Sequence, residues 1–276
     1  MGGRVGVIAL QAAISCQGIG NCASRALLAE LRTYPKPGLV SLVDAGSHKD
    51  MDASHFVRSA FVLRRSFTEF ARAGAKGASF DALRRIGVAA EVAMTRATGG
   101  VNTHRGAIFA LGLLSAAAGT GDDDPPGEIV RERWGADITA HRRDPSSHGS
   151  RAQRHYGTGG AQAEASAGFP TAFDVALPAL RNARARGASH SRATLQAFFM
   201  LLSCVEDTNL VHRGGAEGLA FAHRAARDFL AAGGVHAPDA MARARSIHHA
   251  FIARRLSPGG SADLLAATLF ADAVRR

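Results

Sequence analysis

The stretch Phe56-Val57-Arg58-Ser59-Ala60-Phe61-Val62-Leu63-Arg64-Arg65-Ser66-Phe67-Thr68-Glu69-Phe70 decides the fold class. Phe56, Ala60, Leu63, Phe67 and Phe70 step by four, three, four and three residues, which is one face of an α-helix and no face of a strand. Asp52 and Ser54 ahead of it are N-cap candidates, and Gly74 and Gly77 behind it are stop signals.

The pattern repeats along the chain. Ser79 opens a second helix with Phe80, Leu83, Ile86, Ala90 and Met94 on one side, ending at Gly99-Gly100. A third runs from near Thr103 through Ile108, Leu111 and Leu114 to Gly119, and Asp122 to Gly127 is an acidic, proline-containing turn. Patterning resumes at Thr171, pauses around Pro178 and Gly187, and returns in the stripe Leu195, Phe198, Phe199, Leu202 and Val205. Further helices cover about 215–232, 238–254 and 261–274, and no stretch reads as a strand. Between His141 and Gly168 the periodicity fails, which predicts a flexible lid or loop over 141–168. The expectation is an all-α protein: residues 1–276 as a single large helical domain, or two helical halves joined by that mobile segment.

Composition agrees. Hydrophobic residues make up 46% of the 276 and aromatics only 6%, so small aliphatic side chains fill the core, as in packed helices. The formal net charge of +10 suits a polyanionic partner such as a polyphosphate, nucleic acid or acidic lipid. Cys16, Cys22 and Cys204 are odd in number and form no CxxC, which argues against a disulfide framework or a zinc site and predicts a cytoplasmic protein. The apolar run after Met1 is short, is interrupted by Gln11 and passes into a helix-like stretch ending at Tyr34, so it reads as an N-terminal helix rather than an export signal. No segment is long and apolar enough to span a membrane.

Polar breaks between the helices carry the chemistry. The first holds Tyr34-Pro35-Lys36-Pro37-Gly38-Leu39-Val40 and Gly46-Ser47-His48-Lys49-Asp50-Met51-Asp52. The chain has only three lysines among its 33 basic residues, and two of them, Lys36 and Lys49, lie here; an ammonium is a compact point charge that suits a phosphate. The second is Gly99-Gly100-Val101-Asn102-Thr103-His104-Arg105-Gly106, and the third is Glu206-Asp207-Thr208-Asn209-Leu210-Val211-His212-Arg213-Gly214-Gly215. The last two share Asn and His-Arg-Gly with a helix directly downstream, where free N–H groups and guanidiniums meet an anion. The plain alternative for each break is a capped helix end; two related breaks plus the lysine loop favour phosphate binding by Lys36, His48, Lys49, Asn102, His104, Arg105, Asn209, His212, Arg213 and Gly214. Asp50, Asp52 and Asp207 are candidate ligands for the Mg²⁺ that accompanies a polyphosphate, and Asp50, Asp52 or Glu91 are candidate bases. Glu30, and Ser257 and Asp263 in the segment Leu256 to Leu265, are further candidates by association. This reading requires Lys49, Arg105 and Arg213 to share one cavity.

These segments, with Thr98 to Phe109 and Gly168-Phe169-Pro170, match in order those of a known family: the chain resembles the triphosphoribosyl-dephospho-CoA synthases that serve citrate lyase and malonate decarboxylase. The resemblance implies an all-helical transferase that joins ATP to 3′-dephospho-CoA and releases adenine. Its product is the prosthetic-group precursor that a downstream transferase loads onto an acyl-carrier subunit, with malonate decarboxylase favoured over citrate lyase. Its product linkage implies inversion at the ribose C1′ by a single displacement; Mg²⁺ is the cofactor expected with the polyphosphate, and no nucleic acid or membrane partner is expected. The family has alanine where Ser47 stands, and an arginine where Gln162 stands.

Displacing adenine builds positive charge on the ribose, as glycoside hydrolysis does. A carboxylate near the sugar, Asp50 or Asp52, is expected to take the hydroxyl proton, with Lys36, Lys49, Arg105 and Arg213 anchoring the triphosphate. His104 or His212 is expected either to donate toward the departing adenine or to bind phosphate. Two other functions fit the residues: a Mg²⁺-dependent helical hydrolase of nucleotide N-glycosyl bonds, and a non-enzymatic basic nucleic-acid binder, which one Trp and two Tyr equip poorly for stacking.

Overall fold

The computed structural model describes residues 14–141 and 160–274. Among these there are no strands. The α-helices are α1 Cys16–Arg32, α2 Ala53–Ala75, α3 Phe80–Ala97, α4 Arg105–Gly119, α5 Pro126–Ala140, α6 Gly160–Ser166, α7 Leu177–Ala185, α8 His190–Leu202, α9 Thr208–Ala231, α10 Ala240–Ala253 and α11 Gly259–Val274. A π-helical turn, Thr171–Ala176, leads into α7, and a short 3₁₀ turn, Gly234–His236, precedes α10.

Two helices are apolar nearly all round, and these lie inside. α4 buries Ile108, Leu111, Leu113 and Leu114, and α11 buries Leu264, Leu265, Leu269 and Phe270. The amphipathic α1 and α2 wrap them with one face each, and α2 buries Ala60, Leu63, Phe67 and Phe70, the stripe expected from its spacing. Each such large side chain taken out of water contributes about 1.5–3 kcal/mol. α2 and α4 approach closely because glycine stands at their contact. A Cβ on Gly74 would fall 1.8 Å from the Ala116 carbonyl oxygen, and one on Gly119 would fall 2.1 Å from that of Ala71. One hydrophobic core runs from Ile19 to Ala271, so the described residues do not divide into two halves.

Caps fix the helix starts. The Asp52 carboxylate accepts from the N–H groups of Ser54 and His55, and Ser79 accepts from the N–H of Ala82. Several boundaries differ from the sequence expectation. α5 lacks a clean apolar stripe, because Ile129, Val130, Trp134 and Ile138 are diluted by Gly127 and Gly135. α6 occupies part of the stretch expected to lack structure; the rest, 142–159, lies outside the described residues, as do 1–13 of the expected N-terminal helix. Pro178 makes no pause, because it sits in the first turn of α7, where no intrahelical bond needs its missing N–H. α9 is broken at Gly215 (φ 62°): its second segment is the helix expected from about 215, and the residues from Thr208 to the break add a helical segment that was not expected.

Candidate active site

The polar breaks converge. His48 from the first, Asn102, His104 and Arg105 from the second, Asp207, Asn209 and Arg213 from the third, and Ser257 and Asp263 from the start of α11 line one cavity of about 820 Å³. Glu30 of α1 and Glu91 of α3 also face it. That volume lies in the range of small-molecule sites. Phe56, Phe80 and Phe109 supply apolar wall.

Helix starts build its floor, but carboxylates already occupy their N–H groups. Asp207 is buried; its Oδ1 accepts from the Asn209 N–H (2.9 Å) and its Oδ2 from the N–H and hydroxyl of Ser261 (2.8 and 3.1 Å). It caps α9 and the first turn of α11 together, and Ser261 is a donor to that cap rather than the cap itself. The Asp263 carboxylate accepts from the Ala107 N–H at the start of α4. Burial, and then the neighbouring Asp207 and Glu30 carboxylates, push Asp263 well above the ordinary carboxylate value. Burial likewise raises Asp207.

His104 is buried with its ring in T-shaped contact with that of Phe56, centroids 4.9 Å apart. Its Nδ1 lies 2.6 Å from Ser59 Oγ, and its Nε2 is buried without a hydrogen-bond partner. An unsatisfied buried polar atom costs about 1–3 kcal/mol. Burial and the Lys36 ammonium push its pKa down to about 3, so the ring is neutral at physiological pH.

On another wall, His48 Nε2 meets Ser257 Oγ at 2.8 Å, and Arg213 Nη2 lies 3.3 Å from His48 Nδ1. Burial and the Arg213 guanidinium lower His48, so the neutral ring accepts from Arg213 at Nδ1 and donates to Ser257 from Nε2. Arg213 also donates to the Arg255 carbonyl (3.2 Å), and Arg105 pairs with Glu91 at 2.9 Å.

Other expected residues lie elsewhere. Lys36 is wholly buried; its ammonium pairs with Glu30 at 2.9 Å and donates to the Val40 carbonyl, and it does not line the cavity. Lys49 and Asp50 are exposed and outside the cavity, because the turn that points His48 inward carries its neighbours outward. Asp52, 63% exposed, is engaged as the α2 cap and in a pair with His55. His212 is exposed and outside the lining, and Gly214 packs on Leu256, whose Cδ2 would lie 2.6 Å from a Cβ there. Of the three cations required to meet, Arg105 and Arg213 do and Lys49 does not. Ser47 donates to the Leu256 carbonyl at 2.6 Å, tying the first break to the end of α10. Gln162 donates to the carbonyls of Ile138 and His141 at the end of α5.

The sequence reading also left two residues unassigned. Glu206, beside Asp207, faces the cavity and makes no ion pair among the described residues. Ser59 sits within the α2 stripe, where one serine among apolar residues carries no signal.

The model of one protein family, described as ATP:dephospho-CoA triphosphoribosyl transferase, matches residues 16–276. The chain belongs to the ATP:dephospho-CoA triphosphoribosyl transferase family. Among the relatives of this transferase are a protein of Acinetobacter calcoaceticus (41% identical over 90% of this chain and 88% of its own) and one of Klebsiella pneumoniae (40% identical, 94% and 92%). A third is from Escherichia fergusonii (38%, 93% and 91%). The first is named probable 2-(5″-triphosphoribosyl)-3′-dephosphocoenzyme-A synthase, and the other two bear that name without the qualifier. No solved structure matches the chain. The expectation of an all-helical enzyme of this family holds, and the non-enzymatic reading is set aside.

Proposed function

We infer that this chain transfers the triphosphoribosyl group of ATP to the 2′-hydroxyl of 3′-dephospho-CoA and releases adenine. The observation that carries the reading is the meeting of breaks far apart in sequence, around Arg105, Arg213 and Asp263, in one cavity. In this reading the triphosphate is held by Arg105, Arg213, Asn102 and Asn209 at the cavity, and that remote binding orients the ribose.

We assign the base to Asp263 rather than to Asp50, Asp52 or Glu91. Asp263 is buried among like charges on the cavity wall, which makes its carboxylate a stronger proton acceptor than an exposed Asp50 or Asp52. The new bond joins the acceptor 2′-oxygen to C1′ as the C1′–N9 bond breaks. The hydroxyl proton passes to Asp263 and leaves finally with adenine, so no net proton is consumed. Asp207 and Glu30, facing the same space, offset the positive charge that grows on the ribose.

Mg²⁺ is the expected companion of the triphosphate, neutralising its charge when bound. Among the described residues no three or more His, Cys, Asp or Glu side chains cluster as a metal cage. One or two carboxylates with phosphate oxygens are the usual Mg²⁺ donor set, and this fits the residues present. We assign the protein donor to Glu206. The oxygens of Asp207 are engaged by helix N–H groups, and Asp50 and Asp52 lie outside the cavity.

We place the protein in the cytoplasm, which its three free cysteines support. Its product would pass to a downstream transferase and an acyl-carrier subunit; the preference for the malonate over the citrate system rests on the sequence resemblance and on no single residue. The test is incubation with ATP, Mg²⁺ and dephospho-CoA, following free adenine and the mass of the joined product. Adenine release without dephospho-CoA would make the chain a hydrolase instead.

A further inference from the structure

We propose that His104 is a neutral hydrogen-bond donor, fixed in one tautomer by Ser59, whose Nε2–H contacts N3 or N7 of the ATP adenine, the acceptor nitrogens nearest the breaking bond, as it leaves. This deepens the transfer reading above and rests on it.

The tautomer follows from proton accounting. Ser59 is fully buried, and its hydroxyl has His104 Nδ1, at 2.6 Å, as its hydrogen-bond partner. If Nδ1 carried the proton, the Ser59 hydroxyl proton would be left buried without an acceptor, an arrangement native structures avoid. Nδ1 therefore accepts. The Thr103 hydroxyl, 3.3 Å from the same nitrogen, adds to that preference. The proton of the neutral ring is on Nε2, which is the buried atom without a partner, on a residue that lines the cavity.

The chemistry of the site chooses the ligand. A phosphate would be better met by an imidazolium, but burial and the nearby Lys36 ammonium keep the ring uncharged. The Phe56 ring meets it in a T-shaped contact. The guanidiniums suited to phosphate belong to Arg105 and Arg213, both exposed residues. A fixed neutral N–H beside an aromatic wall matches the acceptor nitrogens of a purine. As the C1′–N9 bond breaks, negative charge spreads over that purine, and the donor's bond strengthens without its proton leaving His104. Ser59 acts only through His104 and is a positioning residue.

The test compares ATP with 7-deaza-ATP and 3-deaza-ATP, each lacking one acceptor nitrogen, in the wild type and in His104→Leu. With ATP the variant should lose on the order of 10²-fold in kcat. With one of the deaza analogues, itself a poorer wild-type substrate, that penalty should shrink to about threefold or less, as coupling between two groups in contact requires. An undiminished penalty on both analogues overturns the proposal. So does coupling seen only with deaza forms of dephospho-CoA, which would place the wrong purine at His104.

Ring ¹⁵N and Nε2–H shifts give a reading that does not depend on His104→Leu. The free protein should show the Nε2–H tautomer, Ser59→Ala should show a tautomer mixture, and ATP should move the Nε2–H signal while the matching deaza-ATP does not. An Nδ1–H tautomer, or no shift with ATP, refutes the assignment. Absence of adenine release by the wild type would instead refute the transfer reading, while the shifts with ATP still report on His104.

Discussion

The carboxylate of Asp263 rests against the backbone of Gly106, so near that a Cβ there would fall 1.9 Å from Oδ2. Only glycine at the first turn of α4 lets the acid near the start of α11 reach the Ala107 N–H. Gly106→Ala should therefore displace the carboxylate and lower kcat by about tenfold or more, with far-UV circular dichroism unchanged; a variant with full turnover would show that Asp263 need not sit there.

Asp263→Asn removes the proposed base, and adenine release should fall by roughly 10²- to 10⁴-fold. Asp50→Asn, exposed and outside the cavity, should release adenine at close to the normal rate. The reverse ranking in a steady-state adenine assay would return the base to the first break.

Lys36 is predicted to be a structural cation. Its removal leaves the buried Glu30 carboxylate unpaired, so Lys36→Met should lower the unfolding free energy in urea by about 3–5 kcal/mol. Glu30→Gln in the same chain should restore part of that. A variant of normal stability with a raised KM for ATP would make Lys36 a phosphate ligand after all.

Stability should also fall with acid in a way traceable to His104. Its folded-state pKa is about 3, against an ordinary value of 6.5 in the unfolded chain. Between these values the unfolded state binds more protons, so lowering the pH costs about 1.4 kcal/mol per unit from this group; above the upper value it contributes nothing. Urea titrations across that window should give a flatter dependence for His104→Gln than for the wild type. Equal slopes would mean that the folded protein already carries a charged or exposed imidazole.

Asp52 works as a cap, and its carboxyl is held well below the ordinary range by bonds from Ser54 and His55. A depressed carboxyl stabilises above its unfolded value and loses that contribution as the pH falls through the folded one. Asp52→Ala should lower Tm by about 2–4 °C at neutral pH while leaving adenine release per folded molecule unchanged. Loss of turnover in a fully folded variant would give Asp52 a chemical role.

The sequence by itself determined the helices and the breaks. A 3.6-residue apolar period, with Asp52 and Ser79 as caps and Gly99-Gly100 as a stop, is local chemistry that each segment carries within its own few turns. The same local reading found the polar segments and the family they resemble. It missed α5, where apolar residues and glycines blur the period, and it could not tell which side of a loop faces inward. Only tertiary packing decided that His48 turns in while Lys49 and Asp50 turn out, that Lys36 is matched to Glu30 over a buried 2.9 Å contact, and that Asp207 caps two helices at once. Those outcomes depend on residues distant in the chain, and on what desolvation costs a charge that has no partner, which a linear pattern does not record.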